Sequence, residues 1–137
     1  MKKKFSPKAL LYSLIILFFI IVAYFIAQSF FDVSRPFFFV LAALGIIFMF
    51  FGGALVFLAR KEKGALRIFL MITGISAICP FVFSILHNVF YALGIIFENS
   101  SLLFEILHAG SFIIALIISP IIFFVGAIAS IILLKRK

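Results

Sequence analysis

Four stretches of this chain contain no Asp, Glu, Lys or Arg: Ala9–Phe31, Phe37–Ala59, Ile68–Phe97 and Ile106–Leu134, with 23, 23, 30 and 29 residues. A bilayer core of about 30 Å takes roughly 20 helical residues, whereas a spanning strand needs only about ten. In lipid every backbone N–H and C=O must find a partner inside the chain, so an uncharged run of this length is satisfied by helix. The pattern predicts an all-α integral membrane protein, a four-helix bundle with helices over residues 9–31, 36–59, 65–97 and 102–134 in a single domain of 1–137.

Composition closes the alternatives. Sixty-seven per cent of the 137 residues are hydrophobic and 12% are charged, with a mean hydropathy of +1.44. An average soluble domain is about 25% charged, and a small one buries only about two-thirds of its surface. This chain has too much apolar surface to be a soluble monomer. It is equally unlike a disordered segment, which needs low hydrophobicity.

Charge fixes the expected orientation. Of the 12 Lys and Arg, only Arg35 falls on one side of the zigzag. Lys2, Lys3, Lys4, Lys8, Arg60, Lys61, Lys63, Arg67, Lys135, Arg136 and Lys137 fall on the other. The positive-inside rule places both termini in the cytoplasm. The net charge of +8 is thereby a matter of topology and lipid attraction, not of nucleic acid. The first apolar run is longer than the 7–15 residues of a signal-peptide core and is expected to stay as an anchor. The Phe, Ile and Lys bias points to an AT-rich prokaryotic genome, and with it to the plasma or inner membrane.

Motifs are sparse. Cys79 stands alone, so it forms no intrachain disulfide and no redox pair. The second and fourth runs carry stripes of small residues: Ala42, Gly45, Gly52 and Gly53, then Ser111, Ala115, Ser119, Gly126 and Ser130. Such stripes mark close helix approach. Pro80 and Pro120 lie at matched distances from the basic side and predict kinks at one level. On the third helix Thr73, Ser76, Ser84, His87 and Tyr91 fall near one line and form a polar seam expected to face inward.

Four side chains toward the far side are the candidate metal ligands: His87, Glu98, Glu105 and His108. Glu105 and His108 have the Glu-x-x-His spacing that supplies two ligands in carboxylate-bridged bundles. Counting from Arg67 and Lys135, however, His87 and His108 differ by seven residues in depth, about 10 Å at 1.5 Å per residue. That separation opposes a shared ion and a bis-histidine haem alike. No cofactor is expected. Coupled transporters place an ionisable group within the bilayer, and none of the four runs carries Asp, Glu, Lys or Arg. The function expected is a non-enzymatic accessory or structural component that associates with itself or with another membrane protein. A channel, holin-like pore or small-solute transporter built on the seam is the first alternative. A metal- or haem-binding membrane protein is the second.

Overall fold

The computed structural model describes residues 6–30, 36–97 and 101–136. The helices are α1 (Pro7–Phe30), α2 (Pro36–Ala59), α3 (Gly64–Ile96), α4 (Ser101–Ile113) and α5 (Ser119–Lys135). A single π-helical turn, Ile114–Ile118, joins α4 to α5 without a break, so the chain makes four rods. Each rod is long and apolar enough to cross a bilayer, and no strand occurs among the described residues. The protein is a multi-pass helical membrane protein.

Local chemistry sets the ends. Ser6 caps α1: its Oγ accepts the Ala9 N–H at 3.1 Å, and Pro7, with its preset φ, takes the first helical position. Pro36 opens α2 in the same way. Turn bonds from Lys61 N–H to Leu58 O and Glu62 N–H to Ala59 O close α2. Gly64 then turns the chain at φ +61°, a left-handed conformation that disfavours any side chain.

α3 is the centre of the bundle, with α2 on one flank and α4–α5 on the other. α1 leans on α2 and touches α3 and α5 only sparingly. The core is apolar and lies toward the basic end: Leu10, Leu11, Leu14, Leu55, Ala59, Leu66, Leu70, Ala77 and Ala127. Lys8, Arg60, Lys61, Lys63, Arg67, Lys135 and Arg136 flank that end. Phe123 fills the middle, its ring 4.8 Å from that of Phe18 and 5.2 Å from that of Phe48, which locks α1, α2 and α5 together.

Helices in lipid gain little hydrophobic energy by meeting, so contact depends on how closely their atoms approach. α2 and α3 approach to backbone distance. A Cβ on Gly52 would lie 2.7 Å from the Gly74 carbonyl oxygen, and a Cβ on Gly74 would lie 2.7 Å from that of Gly52. The stripe of α4–α5 is buried as its spacing implied, at Ser111, Ala115, Ser119, Gly126 and Ser130. Gly53 departs from the stripe expected on α2, since nothing lies within 4 Å of where its Cβ would be.

The two prolines are accommodated differently. α3 runs helically through Pro80, and the Ser84 hydroxyl donates to the Pro80 carbonyl at 2.7 Å. Pro120 in a regular helix would strike the carbonyl four residues back, at Leu116. The π-turn sits on that spot and widens it. Ser119 completes it by donating both its N–H and its hydroxyl to the Ile114 carbonyl.

Candidate functional site

Toward the far end, α3 and α4 meet through two histidines. The imidazoles of His87 and His108 stack with centroids 3.8 Å apart and planes 21° from parallel. Each reaches past the other to its neighbour's backbone. His87 Nδ1–H donates to the His108 carbonyl at 3.1 Å, and His108 Nδ1–H donates to the His87 carbonyl at 3.0 Å. A carbonyl only accepts, so both rings carry a proton on Nδ1 and leave Nε2 as the second nitrogen. Phe112 flanks the His87 ring at 5.3 Å and Tyr91 the His108 ring at 5.4 Å.

The rings meet despite the depth mismatch expected from residue counting. That counting assumed that Arg67 and Lys135 stand level and that both rods are regular. The contact between the two rods instead sets Thr73 beside Gly126. From there the histidines differ by four residues rather than seven, about 6 Å of rise. The π-turn winds an additional residue into its circuit and shortens the longer path.

The stack lies within the apolar layer. A Cβ on Gly45 would lie 3.4 Å from the Phe81 ring, which fixes the level of α2 against α3. His87 is six residues beyond Phe81, about 9 Å, and Pro36 is nine residues beyond Gly45, about 13.5 Å. The histidines therefore sit about one turn inside the level where α2 begins. Beyond them α3 continues for nine residues to Ile96.

Glu105 stands one turn from His108 and is exposed, while Glu98 lies outside the described residues. A groove of about 320 Å³ beside the pair is lined by Phe90, Tyr91, Ile95, Phe104, Glu105 and His108. Among the described residues no three His, Cys, Asp or Glu side chains gather as metal ligands. A coordinated ion lies in the plane of each imidazole ring, about 2 Å from its nitrogen. Two near-parallel rings 3.8 Å apart cannot both aim at one ion while the stack holds. The same applies to trans ligation of a haem iron.

The polar seam changes character along its length. Thr73 and Ser76 are buried and donate back into their own helix, to Phe69 O at 2.8 Å and to Ile72 O at 2.8 Å. Thr73 faces Gly126, where a Cβ would lie 2.7 Å from its Oγ1. Ser84 and Tyr91 are exposed, Tyr91 by 59%. Positions 70, 77, 84 and 91 follow one line along α3 at seven-residue intervals. Leu70 and Ala77 on it are buried core, whereas Ser84 and Tyr91 are open. The buried positions of α3 end at Ala77.

Asn88 widens the open stretch and escaped the seam because its i+4 relation to Ser84 and i−3 relation to Tyr91 were not counted. Its side-chain amide donates to Ser84 O at 2.7 Å. Its Oδ1 has no hydrogen-bond partner among the described residues.

A closed apolar half and a half-open polar end, joined by a histidine clasp between two spanning rods, define a small multi-pass four-helix membrane protein. Compared with models of protein families, with curated proteins and with solved structures, the chain matches none.

Proposed function

We propose that this protein is a non-enzymatic accessory component of a prokaryotic plasma or inner membrane, held with both termini in the cytoplasm, that associates with itself or with another membrane protein. The observation that carries this reading is the exposed stripe Ser84, Asn88 and Tyr91, which continues the line of the core beyond Ala77, the last buried residue of α3. Hydroxyl and amide side chains on a lipid-facing surface have no solvent to bond, and between helices they act as glue. A helix laid against this stripe would extend the covering that ends at Ala77. The rest of the interior is closed by Leu and Phe, and its buried hydroxyls mostly turn back on their own helices, which leaves little for chemistry.

The test is Ser84→Leu with Asn88→Leu, purified in mild detergent. Wild type should run as an oligomer or with a reproducible membrane-protein companion. The double variant should lose that association while melting at the same temperature, because both side chains are exposed. A wild-type monomer without a companion, or an unaltered assembly in the variant, overturns the reading.

The same stripe supports a second reading, in which several copies ring a path and line it with Ser84, Asn88 and Tyr91. Vesicles containing the protein would then pass ions or small solutes faster than empty vesicles, and Ser84→Leu would reduce that flux. No excess flux ends this reading and leaves the accessory role standing.

A further inference from the structure

We propose that the basic end holds a binding site for the headgroup of an anionic phospholipid in the adjoining leaflet. A depression of about 560 Å³ lies between the α2–α3 connection and the end of α5. Lys61, Lys63 and Arg136 supply its cations, Glu62 a carboxylate, and Leu66 and Leu133 its apolar wall. Three cations against one carboxylate leave two positive charges at the rim. The volume falls within the range of about 300–1,000 Å³ usual for small-ligand sites.

The backbone reinforces the side chains. α3 begins at this depression, and Lys63 enters it extended, at φ −123° and ψ 159°, with no side-chain cap on the helix. The N–H groups of its first turn point toward the end of a rod 33 residues long, where helix dipoles favour an anion. Ala65, in that first turn, lines the same depression. Charged side chains and uncapped amides thus converge on one place from separate causes.

The apolar wall identifies which anion. Leu66 and Leu133 belong to helices that run directly into the spanning region. The Lys61 ammonium lies 5.9 Å over the Phe57 ring, which is itself exposed on the apolar surface of α2. A phosphate at the rim with acyl chains lying along the wall satisfies both parts, whereas free phosphate satisfies only the first. Basic depressions between spanning helices are the usual seats of anionic headgroups. The site is independent of the stripe on α3 and of the protein's role.

The full-length protein in detergent, titrated with phosphatidylglycerol and with phosphatidylcholine and read by native mass spectrometry, tests the site. Phosphatidylglycerol should be retained preferentially. The triple variant K61Q/K63Q/R136Q should weaken its binding by about a hundredfold, at about fivefold per cation. The triple variant K8Q/R60Q/R67Q removes the same charge from exposed residues that do not line the depression and should change binding by no more than about twofold. All three pocket cations are exposed, so the fold survives their loss; E62Q should tighten binding and serves as a gain-of-function check. Equal weakening by both triple variants would mean diffuse attraction and no site. Displacement of the lipid by inorganic phosphate would mean a free-anion site. Either result overturns the proposal.

Discussion

Thr73 and Ser130 are two hydroxyls in the same interior with different fates. Thr73 donates to Phe69 O, but Ser130, fully buried on α5, has no partner for its Oγ. A buried donor left unpaired costs about 1–3 kcal/mol. Ser130→Ala should therefore be neutral or raise stability by up to about 1 kcal/mol, whereas Thr73→Val should lower it. Thermal unfolding in detergent reads both, and a Ser130→Ala variant that melts well below wild type would contradict the assignment. The histidines allow a finer test. His108→Phe keeps a ring against His87 but removes the donor to the His87 carbonyl. Interhelical hydrogen bonds in membranes average about 0.6 kcal/mol and reach about 1.7. A loss in that range is expected for His108→Phe, with a larger one for His108→Ala, which removes the stack as well. Equal losses would mean that the ring contact contributes nothing.

At the scale of the helix, the glycines separate cleanly. Gly52 and Gly74 touch through backbone oxygens, so Ala at either must push α2 and α3 apart. Overpacking of this kind costs about 1–3 kcal/mol. Ala at Gly53, where nothing lies within 4 Å, should cost nothing and can stabilise through helix propensity. Equal tolerance at Gly52 and Gly53 in the same unfolding assay would place the α2–α3 contact elsewhere. The sequence showed that helices meet here but not which glycine meets what. Its uncharged runs announced the rods themselves to within a few residues, because each run ends at charges that cannot enter lipid. Ser6-Pro7 was a legible start signal, a cap followed by a first-turn proline, hidden by attention to the apolar run beginning at Ala9. The π-turn was not legible. Pro120 announces a local fault, but whether a helix answers with a kink or a wider turn depends on what Ser119 and its neighbours can bond.

Over the whole molecule, basic residues gather at one end and a polar, partly open structure occupies the other. If that basic end is cytoplasmic, Lys63→Cys in a Cys79→Ala background should react only with reagent admitted to the inside. Phe97→Cys should react only from outside. Labelling of Phe97→Cys from the inside would reverse the orientation. The histidine clasp shows why the candidate site was harder to read than the bundle. Residue counting yields depth along an ideal rod, and a contact between rods depends on their offset, set elsewhere, where Thr73 meets Gly126. The polar seam likewise held its angular position along α3, yet it passes from buried at Thr73 and Ser76 to exposed at Ser84 and Tyr91, which angular position alone does not encode.

That unequal covering has a mechanical consequence. The opening rod has its fully buried residues in its first two turns, at Leu10, Leu11 and Leu14, and beyond them packs through partly buried side chains such as Phe18 and Ile21. The other three are fastened to one another along their length by the glycine contact, the buried serines and the paired imidazoles. Tension applied at the amino terminus would peel away a single strand of the assembly and leave the remaining three still joined, whereas tension at the carboxyl terminus would have to tear the centre apart.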